Sequence, residues 1–217
     1  MGSCVRCLVV FLVVTTQISA KSYFHPNLRS KKGRSAAIRR VLIMPPQVDA
    51  RKTGWKGVEV LHEEGLKLAE VMRRVVENGL RDREFRFTPS PFSAGQTNAD
   101  PERLYAMANL QQAYDRVFGV LAQRPEGVKA GRHSLGHEIG RWLYDSPADT
   151  LAFIRAAVHK DRREYRLRCW LGLVHVRTGD VLFYSEVESD GDLEGARKKL
   201  QQFLALEFRY LSAGGAE

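Results

Sequence analysis

Leu167-Arg168-Cys169-Trp170-Leu171-Gly172-Leu173-Val174-His175-Val176, then Arg177-Thr178-Gly179-Asp180, then Val181-Leu182-Phe183-Tyr184-Ser185-Glu186-Val187, is the stretch that decides the fold. Two runs rich in branched and aromatic side chains flank a short polar turn. Gly179 can take positive φ there at no steric cost, so the two runs read as an antiparallel hairpin. Leu151-Ala152-Phe153-Ile154 lies upstream as a further strand, and the three together predict a C-terminal antiparallel meander.

Working towards the N-terminus, Arg40-Val41-Leu42-Ile43-Met44 is a short apolar run ahead of Pro45-Pro46. It reads as a central strand buried on both faces and stopped by residues that cannot donate to a ladder. The polar stretch Gln47 to Gly57 is expected to be a loop. Val58 to Arg83 reads as a long helix with an apolar stripe through Val58, Leu61, Leu68, Met72, Val75 and Val76. Glu63–Lys67, Glu70–Arg74 and Glu77–Arg81 are i, i+4 pairs on its solvent face. Phe85 to Thr88 alternates like a short strand, and Pro89 to Thr97 reads as a loop. Asp100 followed by Pro101 marks a helix start, because the carboxylate satisfies an orphan amide and proline suits the first turn. Leu104, Met107, Ala108, Tyr114, Val117, Phe118 and Leu121 form the stripe of that second helix. A third helix is expected over Gly131 to Tyr144, with Ser134 as its cap. A last one is expected from Asp192, with Leu193, Ala196, Leu200, Phe203 and Leu204 inward. The order β-α-β-α-α-β-β-β-α predicts a single α+β domain over 40–210: a mixed sheet ending in the meander, with about four helices packed against it. Residues 211–217 read as a flexible tail.

Residues 1–20 carry one charge, Arg6, an apolar run from Leu8 to Val14, and the small-residue ending Ile18-Ser19-Ala20. This is the pattern of an export signal cleaved near Ala20; the run is shorter than the ~20 apolar residues a bilayer crossing needs. The expected location is periplasmic or secreted. Residues 21–39 read as a basic flexible arm. Lys21, Arg29, Lys31, Lys32, Arg34 and Arg39 are its cations, with no carboxylate among them, and they are candidates for contact with an anionic membrane surface. With Arg6, these six and Arg40 set aside, 26 cations face 25 anions. The basicity therefore resides in the arm, and a nucleic-acid partner is not expected. Cys169 is the one cysteine after residue 20, in an apolar run that predicts burial.

Val41 to Pro46, the long helix after it, Ala148-Asp149-Thr150-Leu151-Ala152-Phe153-Ile154 and the hairpin Val174 to Leu182 occur in this sequence order. Together they resemble the periplasmic α+β domain of the curli-secretion lipoprotein family and small envelope lipoproteins similar to it. The resemblance implies a periplasmic scaffold serving an envelope or secretion assembly. The chain has His175 or Arg177 where that family's hairpin places an aspartate, and it lacks the lipidated cysteine.

His133-Ser134-Leu135-Gly136-His137-Glu138 is the one arrangement with metal-binding spacing, since histidines at i, i+4 share a helix face. His62, Glu63, Glu64, His159 and His175 are the candidates for a third ligand. The glutamate follows the second histidine, whereas the zincin order sets it after the first. No Gly-x-Ser-x-Gly elbow and no phosphate-cradling glycine loop is present. Arg51, Lys52, Trp55 and Lys56 make the stretch after the first strand the candidate partner-binding surface, because loops on rigid scaffolds carry recognition and tryptophan supplies a large contact. The expected function is that of an exported, non-enzymatic cell-envelope protein without a cofactor, binding an envelope protein or polymer. The alternative is a metal-dependent hydrolase built on His133, His137 and Glu138.

Overall fold

The computed structural model describes residues 19–28, 38–55, 57–82, 85–92, 94–143, 146–161, 164–191, 198 and 201–202. Among these residues eight strands form one mixed sheet: β1 (Ser19–Phe24), β2 (Arg40–Ile43), β3 (Gln47–Gly54), β4 (Gly57–Val60), β5 (Arg86–Phe87), β6 (Thr150–Asp161), β7 (Glu164–His175) and β8 (Val181–Gly191). Their order is β1-β8-β7-β6-β2-β5, with β3 also beside β6 and β4 beside β3. The helices are α1 (His62–Arg81), α2 (Ala94–Ala99) and α3 (Pro101–Gln123), joined by 3-10 turns at Pro26–Leu28, Pro125–Ala130 and His137–Leu143. The domain is α+β, as expected.

The meander β6-β7-β8 is its frame, antiparallel throughout, with Leu151 opposite Val174 and Leu173 opposite Phe183. The expected turn is present: Gly179 has φ 73°, and a Cβ there would strike the backbone of Gly136. α1 covers one sheet face, where Leu68, Met72, Val75, Val76 and Leu80 meet Ala152, Ile154, Ala156, Leu171 and Phe183. α3 and the later 3-10 turns cover part of the other face, where Leu110, Tyr114, Leu121 and Ile139 meet Leu42, Leu151, Phe153 and Tyr184. Asp100 caps α3 as expected, its carboxylate accepting from the Glu102 amide at 3.0 Å.

Pro45-Pro46 interrupts the ladder without ending it. β2 runs parallel to β6 from Val41 opposite Thr150 to Ile43 opposite Ala152, and β3 resumes along the same neighbour from Gln47 opposite Arg155. Three residues lie between Ile43 and Gln47 against two between Ala152 and Arg155, so the prolines occupy a one-residue bulge, where a missing amide hydrogen is tolerated. The expected loop Gln47 to Gly57 is therefore largely a strand. It turns back antiparallel into β4, with Arg51 opposite Val60 and Gly54 opposite Gly57. α1 accordingly starts at His62 and not at Val58; Val58 and Val60 are exposed strand residues.

Further differences lie at the N-terminus and after α3. Lys21, expected in a flexible arm, sits in β1, an edge strand paired with β8 and placing Lys21 opposite Glu186. Tyr23, Leu28 and Ile38 are buried, so much of the arm packs on the domain. The expected helix over Gly131 to Tyr144 is broken. Gly131 and Gly136 have φ of 64° and 91°, and Ser134 bridges to Asp180 in extended conformation. Leu104, assigned to the buried stripe of α3, is exposed, while Ala106, Leu110 and Ala113 are buried. The export signal up to Ile18, the cations Arg29, Lys31, Lys32 and Arg34, most of the closing helix from Asp192 and the 211–217 tail lie outside the described residues.

Candidate functional site

Two surfaces stand out, both on the side of the sheet that α1 leaves open or at its end. The first is the β3–β4 hairpin. Its strands close on Gly54 opposite Gly57, and Trp55 at the apex is 96% exposed. Val58 and Val60 on the returning strand are 62% and 52% exposed. Arg51 is held to Asp49 at 2.8 Å, which raises its pKa chiefly through that hydrogen bond, and Lys52 reaches Glu59 at 3.8 Å. These ion pairs are solvent-exposed, so water and salt screen them and they add little to stability. The structure thus brings Arg51, Lys52 and Trp55 together on one hairpin; Lys56 lies outside the described residues.

The second surface is the uncovered half of the outer sheet face. Cover by α3 ends where Arg155 bonds Asp115 at 2.9 Å and lies over the Phe118 ring at 4.4 Å. Beyond it, Asp49, Arg51, Ala157, His159, Arg166, Arg168, Trp170 and Glu188 line a groove of about 410 Å³. Its charges are arranged by strand, with arginines on β7 and carboxylates on β8. Arg168 pairs with Glu186 and Glu188 at 3.2 Å each, and Arg166 with Asp190 at 3.4 Å. The His159 ring shares a hydrogen bond of 3.1 Å with the Thr53 hydroxyl. Cross-strand pairing of opposite charges on a solvated face accounts for this pattern. Sequence reasoning missed it because the partners lie about twenty residues apart, and only the β7–β8 register sets them opposite one another.

The histidines do not converge. His133 is buried in an extended segment with its Nε2 3.0 Å from the Arg124 carbonyl, while His137 and Glu138 are exposed at the start of a 3-10 turn, Glu138 pairing with Arg141 at 3.4 Å. The i, i+4 face needed an α-helix, and the two glycines with positive φ preclude one. His62, Glu63 and Glu64 stand exposed at the start of α1, and His175 shares a hydrogen bond of 3.1 Å with Thr178. Among the described residues no three His, Cys, Asp or Glu side chains form a group that could hold a metal ion. Cys169 is buried against Met72, and burial drives its thiol pKa upward. Arg39 is exposed, its backbone amide held by the Asp149 carboxylate.

No helix among the described residues is long and apolar enough to cross a membrane. No protein-family model matches the chain, and no curated protein matches it. Solved structures similar to it include the PelC dodecamer from Paraburkholderia phytofirmans, 12% identical, with a TM-score of 0.41 over 91% of this chain and 99% of that one. The lipoprotein GNA1162 from Neisseria meningitidis is 10% identical, with a TM-score of 0.40 over 79% of this chain and 98% of that one. The C-terminal domain of LpoB from Salmonella enterica is 15% identical, with a TM-score of 0.27 over 70% and 82%. At these identities the likenesses are distant, and they assign no activity to this chain.

Proposed function

We propose that this chain is an exported, non-enzymatic cell-envelope protein that binds a partner of the envelope through the β3–β4 hairpin. The observation that carries the reading is the placement of Trp55: almost fully exposed, at the apex of a hairpin rooted in the sheet through β6. A tryptophan left in water at the end of a hairpin forgoes a large apolar burial, of roughly 150–250 Å² for such a ring, and contact with a partner recovers it. The export pattern of residues 1–20 supplies the compartment.

Crosslinking in intact cells from a photoreactive residue at Thr53 is expected to capture a component of the envelope. Trp55→Ala should weaken that capture while moving folding stability by no more than about 0.5 kcal/mol, as for an exposed side chain with no structural partner. A large loss of stability with capture intact would assign Trp55 to the core and the binding surface elsewhere.

A further inference from the structure

We infer that β4 takes up an added strand: an extended segment of the partner polypeptide pairs with its free edge. The inference rests on the reading of the hairpin as the binding surface and names the chemistry of what binds there. Among the described residues β4 pairs with β3 alone, so its far side is an open edge of the sheet. The register decides which backbone groups are open. The Leu61 amide donates to the Ala50 carbonyl at 2.8 Å, and in an antiparallel ladder every second residue bonds the same neighbour. Glu59 and Gly57 therefore bond β3, while Val58 and Val60 turn their N–H and C=O groups outwards. Such a row of donors and acceptors at strand spacing is matched by the backbone of another strand.

The side chains along this edge fit the same occupant. Edges that must stay single are blunted by lysine, proline or a bulge. Val58 and Val60 are instead β-branched, and both are more than half exposed. They stand on the sheet face of Thr53 and Arg51, the residues opposite them, so an added strand with apolar residues at alternate positions would cover both. Trp55, at the apex where this edge begins, offers the same strand a further apolar contact. A second copy of this chain is a poorer occupant. With Val58 and Val60 facing outwards, the two-fold register that pairs both valines of each chain sets the two copies' Glu59 side chains directly opposite one another, and like charges so placed destabilise a ladder. The segment is therefore foreign, with apolar residues facing Val58 and Val60 and a neutral or basic residue facing Glu59.

Crosslinking in intact cells from a photoreactive residue at Thr53 is repeated with two variants of the full chain. Val60→Pro removes an outward amide that the β3–β4 ladder does not use, and Val60→Thr keeps that amide and the branched shape. Expected is a fall in capture of about tenfold or more in Val60→Pro, with capture near the parent level in Val60→Thr. A second measurement does not depend on the folding of the proline variant. The mature chain is mixed with the blocked peptide Thr-Val-Lys-Val-Thr, or with its analogue N-methylated at both valines, and amide hydrogen exchange is followed by NMR. The Val58 and Val60 amides, fast in the free protein, should slow about tenfold with the first peptide and not with the second. Undiminished capture by Val60→Pro, equal loss in Val60→Thr, or equal exchange with both peptides overturns strand addition and leaves the hairpin as a binding surface of another kind. Capture of a second copy of this chain overturns the foreign segment. No capture from the parent removes the hairpin reading and the inference with it.

Discussion

Gly172 shows how closely α3 is set on the sheet. It lies opposite Phe153 and Tyr184 in the ladders, and a Cβ at this position would collide with the Tyr114 hydroxyl. Tyr114 cannot easily turn aside, because its ring is stacked on Phe153 at 4.3 Å with an interplanar angle of 3°. Burial raises its phenol pKa well above the ordinary range, and neither its hydroxyl nor that of Tyr184 has a hydrogen-bond partner among the described residues. Gly172→Ala therefore overpacks the interface and should cost about 1–3 kcal/mol in urea unfolding. A second-site Tyr114→Phe, which removes the colliding oxygen and an unsatisfied donor together, should restore part of the loss. If Gly172→Ala is as stable as the parent, α3 is not seated as the structure places it.

At the scale of elements, α1 owes its solvent face to a short charge network. Glu70 accepts from both Arg73 and Arg74, and Arg73 also reaches Glu77, which in turn pairs with Arg81. The hydrogen bonds from Arg73 and then Arg74 hold the Glu70 carboxyl at about 2, below its ordinary 4.5. A carboxylate depressed in the folded state stabilises fully above the unfolded value and loses that contribution as pH falls from 4.5 towards 2. Urea midpoints measured across that window should fall less steeply for Glu70→Gln than for the parent. Parallel curves would mean the network is too well solvated to matter, which is the ordinary outcome for isolated surface pairs. The expected pairs Glu70–Arg74 and Glu77–Arg81 are present, and Arg73 joins them into one network.

For the whole molecule, the decisive feature is that the chain before Arg40 belongs in part to the domain. β1 completes one edge of the sheet, and Tyr23, Leu28 and Ile38 are buried. Deleting residues 21–39 should therefore lower stability by several kcal/mol, since fully burying a large apolar side chain is worth ~1.5–3 kcal/mol. Exchanging only Arg29, Lys31, Lys32 and Arg34 for Gln should leave stability almost unchanged. It should also reduce any salt-sensitive attraction to anionic vesicles, because exposed charges are screened beyond ~10 Å at 0.1 M salt. Equal stability of the deletion and the charge variant would mean β1 is dispensable.

Sequence alone determined the meander, the cap of α3 by Asp100 and the class of the fold. These features are local: alternating or continuous apolar runs, a glycine turn and a side chain that satisfies an amide two residues away. It also made Arg51, Lys52, Trp55 and Lys56 the candidates for partner contact, because tryptophan between glycines has little nearby apolar chain to cover it. What only the tertiary structure decided depends on partners far along the chain. Gln47 to Gly54 is polar enough to pass for a loop and becomes a strand because β6 continues beyond β2 and offers it a free ladder. Lys21 to Phe24 becomes an edge strand because β8, over 150 residues away, presents unpaired amides and carbonyls that must be satisfied. His133 and His137 separate because glycines at positive φ and a bridge to Asp180 outweigh a helical periodicity that looked sufficient in one dimension. Short segments have too little intrinsic preference to choose their own state, so the neighbour with open hydrogen bonds chooses it for them.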